Sequence, residues 1–439
     1  MSQSLQNKSF HIHTFGCQMN ENDSERIAGL LITGGAEPAP EIDDSDIIII
    51  NTCAVRQKSE EKLFSLLGRL ARIKERKSLI VGVTGCVSQL YRSELLDKNS
   101  VIDFVLGPDN YWQLQDILEQ MPGEKIVATS WSNTWHAKAS EKLYRKSTIT
   151  AYVTIMEGCN NFCSYCVVPY TRGREKYRPA PHIIQEIKNL AKDGFKEVQL
   201  LGQNVNTYKD PDTHMSFAEL LRQANDIQGI RWIRFLTSHP KDFNESIAIA
   251  MKECTKVCRQ LHLPVQSGSS SILKQMNRGY TKEQYLEKID MIRGHMPDMS
   301  FSTDIIVGYP DEGEQDFLET LSVLEEVQFT NIFSFRYSPR PFTSAAKKPD
   351  SVLLETKRRR LIEVQSLQKK IQMESNTRRI GHIICVLVLG RSRKDSHIFS
   401  GRNEAFQVVN FQSKKNKIGQ FAQVKITSCG PYSLRGIAT

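Results

Sequence analysis

Three short runs of strand-like sequence near the amino end of the chain are each followed by a cysteine after one or two further residues. HIHTF comes before Cys17, DIIII before Cys53 and SLIVGV before Cys86. Stretches with helical spacing of apolar residues separate the runs, and strands that alternate with helices build a parallel sheet. Because the carboxyl ends of parallel strands meet at one edge, we expect these three "sheet cysteines" to lie together. For any one of them, an ordinary buried cysteine is the alternative.

A second group, the "loop cysteines" Cys159, Cys163 and Cys166, lies in the stretch MEGCNNFCSYC. Three thiolates within eight residues suit a [4Fe-4S] cluster that is bound at three corners and keeps one iron open. A structural zinc site usually has four ligands, and no further pair follows here at zinc-finger spacing. Spacing alone therefore predicts a cluster with one open position, and a structural zinc site is the weaker alternative.

The alternation of strands and helices predicts three domains. Residues 8–121 should form an open parallel α/β sheet, and the stretch 121–150 should be a linker. Residues 145–375 contain six further strand candidates with helices between them, which predicts a partial (βα)6 barrel that ends in a long charged helix. Residues 376–439 contain short strands and turns, which predicts a small β-barrel.

Positive charge is concentrated at the carboxyl end. The formal net charge is +9, and residues 376–439 contain eleven Lys and Arg against two acidic residues, so the rest of the chain is neutral overall. A basic module on a neutral body favours a polyanionic partner such as nucleic acid, with a solvated surface as the alternative. The polar amino end and the short apolar runs predict neither a signal peptide nor a membrane span, which favours a cytoplasmic protein with reduced cysteines.

Seven motifs carry a resemblance to one enzyme family. They are TFGCQMNENDSE, NTCAVRQKSEEK, TGCVSQ, EGCNNFCSYCVVPYTRG, LLGQNVNTY, LHLPVQSGS and YSPRP. In this order they resemble the methylthiotransferase family of radical S-adenosylmethionine enzymes, and they span nearly all of the first two domains. The resemblance implies a radical S-adenosylmethionine core and a carboxyl-terminal RNA-binding TRAM domain. It also implies two [4Fe-4S] clusters, one on the sheet cysteines and one on the loop cysteines, with S-adenosylmethionine at the open iron of the latter.

The motifs are most similar to one branch of the family, which implies transfer of a methylthio group to carbon 2 of N(6)-dimethylallyladenosine next to the anticodon of tRNA. The resemblance implies that the sulfur comes from the cluster on the sheet cysteines and the methyl group from a second S-adenosylmethionine. That carbon has no acidic proton for a general base, so a radical is required. The implied partners are the tRNA anticodon loop and an electron donor such as a flavodoxin or ferredoxin, and the protein is expected to be a monomer. Two alternatives stay open. One is a methylthiotransferase for another modified adenosine or a ribosomal-protein aspartate, and the other is a non-catalytic iron–sulfur RNA-binding protein.

Further site residues are expected from the resemblance and from their position at predicted strand ends. The resemblance implies that Tyr165, just before the last loop cysteine, lies near the adenine of S-adenosylmethionine. The residues expected to contact this cofactor or the substrate from other strand ends are Gln203, Gln266 and Asp304. His239 and His262 lie at similar strand ends, and for them both a contact of this kind and an ordinary hydrogen-bonded histidine stay open.

Two motifs depart from the family pattern. Residues 342–344 are Phe-Thr-Ser where the family has Gly-Thr-Pro, and residues 309–313 are Tyr-Pro-Asp-Glu-Gly where it has Phe-Pro-Gly-Glu-Thr. Neither departure involves a cluster cysteine, so both concern loop conformation and not the reaction class. Of the remaining cysteines, Cys254 and Cys258 are predicted to be buried thiols on one helix.

Overall fold

The computed structural model describes residues 5–55, 57–121, 123–132, 135 and 143–439. The first domain is a six-stranded sheet with strands β1 (Ser9–Phe15), β2 (Glu37–Pro38), β3 (Ile47–Thr52), β4 (Ile80–Gly85), β5 (Phe104–Leu106) and β6 (Ile126–Ala128). Its order is β2-β1-β3-β4-β5-β6, and every pairing is parallel. The helices are α1 (Gln18–Thr33), α2 (Gln57–Lys74), α3 (Cys86–Tyr91), α4 (Glu94–Lys98) and α5 (Leu114–Glu119). The predicted open parallel α/β sheet is confirmed.

The second region contains eight strands, of which six are parallel and lie in two halves. Its strands are β7 (Thr150–Thr154), β8 (Met156–Glu157), β9 (Lys176–Tyr177), β10 (Glu197–Leu201), β11 (Trp232–Phe235), β12 (Gln260–His262), β13 (Ser300–Val307) and β14 (Asn331–Arg336). One half has the order β11-β10-β7 and the other β12-β13-β14, and a parallel bridge between Ile233 and Val257 connects them. The short strands β8 and β9 form a separate antiparallel pair.

Helices alternate with the six parallel strands of this partial barrel, which confirms the predicted (βα)6 architecture. They are α6 (Val168–Thr171), α7 (Ala180–Lys192), α8 (Phe217–Asp226), α9 (Glu245–Glu253), α10 (Ser270–Gln275), α11 (Lys282–His295), α12 (Glu314–Val327) and α13 (Leu354–Thr377). On β13, residues 301, 303, 305 and 307 are buried against the helices, whereas residues 302, 304 and 306 are only partly buried and face the other way. This period of two makes one face of the strand available to a ligand.

The third region is a closed five-stranded barrel. Its strands are β15 (Ile383–Ser392), β16 (Asp395–Asn403), β17 (Val408–Gln412), β18 (Phe421–Gly430) and β19 (Ser433–Ala438), in the order β15-β16-β17-β19-β18. In β18, the buried residues Ala422, Val424 and Ile426 alternate with exposed polar residues, as a small barrel requires. The predicted small β-barrel is confirmed.

This third region packs closely on the second. The buried Arg234 of β11 donates to Glu197 Oε2 at 2.7 Å and to the carbonyl oxygens of Asn403 and Glu404 at 2.8 and 2.6 Å. Trp232 of the same strand meets Phe421 edge-on, with ring centroids 4.8 Å apart. A buried arginine, each of whose three nitrogens donates a hydrogen bond, therefore connects the basic module to the barrel.

Two details differ from the sequence prediction. The strand β6 lies in the stretch 121–150, for which the sequence predicts a linker, and residues 122, 133–134 and 136–142 of that stretch lie outside the described residues. Cys254 and Cys258 are buried as predicted, but α9 ends at Glu253, so they do not share a helix. The Cys258 amide instead donates to the Ile233 carbonyl at 3.0 Å, because sheet pairing in the barrel competes with helix propagation.

No helix in the described ranges is long and apolar enough to cross a bilayer.

Candidate active site

The loop cysteines follow β8, at the carboxyl face of the barrel. Gly158, directly before Cys159, has φ +80°, and a Cβ there would clash with the opposing backbone, so the close approach requires glycine. The Gly158 amide donates to Oε1 of Gln203, 2.6 Å away, just after β10. Cys163 is buried, and Cys159 and Cys166 are half-buried. The neighbouring strand therefore braces the loop through a side chain that the sequence assigns to cofactor binding.

Burial controls the protonation of these thiols. It raises the pKa of Cys159 to about 11 and that of Cys166 to about 12, and repulsion from Cys163 acts in the same direction. In the absence of a bound metal centre, Cys159 and Cys166 are therefore neutral at physiological pH. A bound metal centre reverses that preference because it stabilises the thiolate.

A buried arginine stands beside this loop. Nη1 of Arg278 lies 3.3 Å from Cys163 Sγ and donates to Tyr165 Oη at 3.3 Å, while its Nη2 donates to the Pro264 carbonyl at 2.7 Å. His239 Nε2 is 3.8 Å from the same sulfur, and burial lowers the pKa of His239 to about 2, so it is neutral. Arg278 thus supplies positive charge next to the thiols and fixes the Tyr165 hydroxyl.

The sheet cysteines come together at the carboxyl edge of the first sheet. Cys17 caps the start of α1, Cys53 follows β3 and Cys86 begins α3. The thiol of Cys53 interacts with both others, which lowers the pKa of Cys17 and Cys86 and raises that of Cys53. The strand pattern predicts this proximity, and the structure has it. Their role as cluster ligands stays a prediction.

Two buried asparagines fix the turns that carry the sheet cysteines. Asn20 Nδ2 donates to Asn51 Oδ1, and Asn51 Nδ2 donates to the Asn20 carbonyl, both at 2.8 Å. The Cys17 amide donates to Asn20 Oδ1 at 3.3 Å. Gly85 precedes Cys86 with φ +92°, and a Cβ there would clash with Asn51 Oδ1. Three turns from distant parts of the sequence are thereby locked to each other.

The two cysteine groups are neighbours. Helix α3, which begins at Cys86, packs against α6, which begins two residues after Cys166, and Val167 lies in the same apolar cluster as Cys86. The buried Arg172, just after α6, donates to Asp23 Oδ2 at 2.6 Å, and its charge helps lower the pKa of Cys86. A residue of the barrel loop therefore reaches the sheet cysteines.

Several buried polar atoms of the described residues lack a hydrogen-bond partner at strand ends. Thr52 Oγ1 lies directly before Cys53, Asn204 Oδ1 and both amide atoms of Asn206 follow β10, and Ser238 Oγ follows β11. An unpaired buried polar group is costly, so such atoms mark positions where a polar ligand completes the hydrogen bonding. Their position at the carboxyl ends of β10 and β11 fits a small polar cofactor beside the loop cysteines.

Gln266 and Asp304 lie on the other half of the barrel. Gln266 has φ +74° and a buried side chain, and its backbone N–H donates to the backbone carbonyl of Asp304 at 2.9 Å. The partly exposed Asp304 side chain has Oδ2 3.6 Å from Nε2 of His262. Contact of these residues with cofactor or substrate stays a prediction.

Across the described parts of the chain, no group of three or more His, Cys, Asp or Glu side chains is arranged to bind a single metal ion. A [4Fe-4S] cluster distributes its ligands over separate irons, so it does not require thiols that converge on one point.

Both motif departures coincide with left-handed backbone. Phe342 and Asp311 each have φ +67°, a region that favours glycine, and these are the positions at which the family pattern has glycine. The chain therefore keeps a glycine-type backbone at both places while carrying a side chain there. The two substitutions therefore leave the backbone in the left-handed region and make it strained at both positions, since neither residue is glycine.

Three family models match the chain. Residues 9–107 match "Uncharacterized protein family UPF0004", residues 153–324 match the radical SAM superfamily, and residues 377–439 match the TRAM domain. The barrel, the three-cysteine loop and the second match define a radical S-adenosylmethionine protein, a class that uses a [4Fe-4S] cluster and S-adenosylmethionine.

Curated relatives match over the whole length. The tRNA-2-methylthio-N(6)-dimethylallyladenosine synthase of Thermoanaerobacter sp. (strain X514) is 45% identical over 438 residues, which are 98% of this chain and 92% of that protein. The protein of the same name from Thermodesulfovibrio yellowstonii is 45% identical over 434 residues, 98% of this chain and 99% of the relative. The chain belongs to the tRNA-2-methylthio-N(6)-dimethylallyladenosine synthase family.

Solved structures share the fold at low identity. The radical S-adenosylmethionine methyltransferase TsrM from Kitasatospora setae superposes with a TM-score of 0.58 at 14% identity, covering 77% of this chain and 75% of that chain. The cobalamin-dependent S-adenosylmethionine radical enzyme OxsB superposes with a TM-score of 0.54 at 12% identity, covering 84% and 56%.

Sequence reasoning missed the two buried arginines of the site. Arg278 meets Cys163 across 115 residues of sequence, and Arg172 meets Asp23 across 149. Their own segments, MNRGY and YTRGR, show no pattern that separates a buried arginine from a surface one. The only available signal was the position of Arg172 just behind the cysteine loop.

Proposed function

We propose that the protein adds a methylthio group to carbon 2 of N(6)-dimethylallyladenosine in tRNA. The observation that carries this proposal is the presence of two three-cysteine groups on neighbouring loops, with α3 and α6 packed together between them. Relatives that share 45% identity along the whole chain carry this activity in their name. The target is an unreactive C–H bond, which acid–base catalysis cannot open.

The loop cysteines are the proposed ligands of the cluster that would bind S-adenosylmethionine. The cluster and this cofactor would supply the radical that removes hydrogen from carbon 2. The chain's own contribution is positional and electrostatic. Gln203 fixes the loop through the Gly158 amide, and Arg278 compensates negative charge at Cys163 while it orients Tyr165. The unpaired polar atoms behind β10 and β11 would complete their hydrogen bonds with the cofactor.

The sheet cysteines are the proposed ligands of a second [4Fe-4S] cluster, from which the sulfur would be delivered, and a second molecule of S-adenosylmethionine would supply the methyl group. The mutual interaction of the three thiols supports this assignment, as does the asparagine pair that locks their turns. Arg172 adds a buried positive charge where thiolate ligands would accumulate negative charge. Two clusters on adjacent loops would bring the sulfur donor close to the carbon that has lost its hydrogen.

Recognition of tRNA is assigned to the TRAM barrel together with the barrel mouth. The eleven basic residues of 376–439 suit phosphate contacts. In a single-stranded anticodon loop the target base can unstack at a low cost in free energy. An electron donor such as a flavodoxin or ferredoxin would supply the reducing electrons. We propose a monomer that works in the cytoplasm, where its tRNA substrate is found.

Anaerobic turnover tests the proposal. Reconstituted protein, S-adenosylmethionine, a reductant and tRNA that contains N(6)-dimethylallyladenosine should give the 2-methylthio nucleoside in digests analysed by mass spectrometry, together with 5′-deoxyadenosine. Unmodified adenosine, other modified adenosines and a ribosomal-protein aspartate serve as competing substrates. A protein that releases no 5′-deoxyadenosine and forms no product would be the iron–sulfur RNA-binding module of the alternative hypothesis.

A further inference from the structure

Phe342 combines a strained backbone with an exposed aromatic ring. Phe342 lies between β14 and α13, has φ +67° and is 61% exposed. The left-handed region is unfavourable for a bulky residue, and apolar burial does not offset the cost here because most of the ring faces water. Strain of this kind persists where the surrounding structure enforces it, and it concentrates at binding sites.

Both ends of this loop are anchored next to the cysteine groups. Arg340 Nη2 donates to the Val55 carbonyl at 3.1 Å, two residues beyond the sheet cysteine Cys53. On the other side, the Ala345 amide donates to the Ser164 carbonyl at 2.8 Å, within the segment of the loop cysteines. Phe342 is therefore held between the segments that carry the two groups.

The ring of Phe342 continues a row of aromatic and cationic side chains. Its centroid lies 6.3 Å from that of Tyr170, and Tyr170 meets Phe162 edge-on at 6.2 Å. The exposed Arg174 lies over Phe162, with its guanidinium carbon 4.4 Å from the ring centroid. The row thus starts between two loop cysteines, because Phe162 directly precedes Cys163, and it ends at the exposed ring of Phe342.

The surrounding charge favours an anionic partner. Residues 336–348, RYSPRPFTSAAKK, contain four basic residues and no acidic one. Arg340 and Lys348 lie 3.7 and 3.9 Å from the carboxylates of Glu60 and Asp311, so the exposed Arg336 and Lys347 carry the charge that is available to a partner. Aromatic rings interleaved with positive charge are the arrangement by which proteins bind single-stranded nucleic acid, through base stacking and phosphate contacts.

We infer that Phe342 is a stacking platform for an unpaired nucleobase of the RNA substrate, beside the base that enters the site. This inference rests on the proposed function, because it assumes that a single-stranded tRNA loop docks at the barrel mouth. The exposed Arg336 and Lys347 contact the flanking phosphates, and the ring supplies a sequence-tolerant contact, since every base has a π-face. The strained backbone is what holds the ring outward and away from its own core.

The test compares four variants for binding of an anticodon stem-loop RNA that carries N(6)-dimethylallyladenosine. Phe342→Trp keeps an aromatic face and should bind the RNA like the wild type. Phe342→Leu keeps an apolar side chain without the π-face, and Phe342→Gly removes both the ring and the strain. Both should weaken binding by roughly 5- to 150-fold, the range measured for loss of one stacked base. Gln328→Gly is the matched control. Gln328 also has a left-handed backbone, with φ +55°, but it lies between α12 and the start of β14, whereas Phe342 follows the end of β14.

Thermal unfolding separates a binding role from a structural one. If the ring serves RNA, Phe342→Gly should keep or raise the unfolding midpoint, as should Gln328→Gly, while only the former loses RNA affinity. A lower midpoint with Phe342→Gly, or wild-type RNA affinity with both Phe342→Gly and Phe342→Leu, would overturn the inference. If the wild-type protein makes the methylthio product while these variants bind RNA normally, the inference on Phe342 fails and the proposed function stands. Wild-type protein that makes no such product would count against the proposed function itself, whatever the variants do.

Discussion

Replacement of Arg172 by methionine should destabilise the junction between the first sheet and the barrel by about 3–5 kcal/mol. The Arg172 side chain is 2% exposed and that of Asp23 is 6% exposed, with Nη2 and Oδ2 2.6 Å apart. Methionine retains much of the volume but none of the charge, so the Asp23 carboxylate stays in the interior without its counter-ion. The predicted loss is the desolvation cost of that uncompensated carboxylate.

A double-mutant cycle checks this reasoning. Arg172→Met, Asp23→Asn and the double variant are compared with the wild type by urea unfolding followed through tryptophan fluorescence. The double variant removes both charges, so its loss should fall below the sum of the single losses by about 1–3 kcal/mol. The matched control is Arg222→Met, which breaks an exposed 2.9 Å pair with Glu253 and should cost less than about 1 kcal/mol. Additive losses, or an Arg172→Met variant no less stable than the control, would refute the account.

Three further changes probe other parts of the structure. Arg234→Met removes the buried arginine that joins the TRAM barrel to β11, so limited proteolysis should cut between the two regions faster than in the wild type. Lys414→Gln with Lys415→Gln, two exposed residues, should lower the slope of log affinity for tRNA against log salt by about 1.4–1.8 if both contact phosphates, and an unchanged slope would assign them to solubility. Burial opposes ionisation of Asp210, but hydrogen bonds from Thr213 and the backbone lower its pKa below 3.8. The ionised Asp210 carboxylate therefore stabilises the fold above that pH, and this contribution to the free energy of unfolding is lost as the pH falls through the lowered pKa. Asp210→Asn should consequently flatten the acid side of a plot of the free energy of unfolding against pH.

The cysteine positions were the part of the site that sequence reasoning could predict. Cys17, Cys53 and Cys86 each follow a predicted strand, and parallel sheets bring such positions to one edge by geometry alone. The partial barrel and the closed β-barrel follow from the same kind of local pattern. Element boundaries that depend on tertiary pairing were less accessible, as β6 and the segment between Cys254 and Cys258 show.

The charged environment of the site could not be predicted in this way. Arg172 and Arg278 become site residues only when the chain brings Asp23 and Cys163 to them from more than a hundred residues away. The departure at Phe342 was visible in the motif, but its meaning depends on a backbone angle that sequence does not give. Long-range burial and backbone conformation therefore decide which polar residues support the cysteines.

Removal of the two cysteine groups in turn tests the central claim most directly. One variant replaces the sheet cysteines Cys17, Cys53 and Cys86 by alanine, and the other replaces the loop cysteines. Iron content, 5′-deoxyadenosine and the 2-methylthio nucleoside are measured anaerobically for both. The account predicts that the sheet variant loses about half of its iron and makes no methylthio product while it still releases 5′-deoxyadenosine, whereas the loop variant releases neither. A sheet variant with full iron content and normal methylthio product would contradict the account and return those cysteines to ordinary buried thiols.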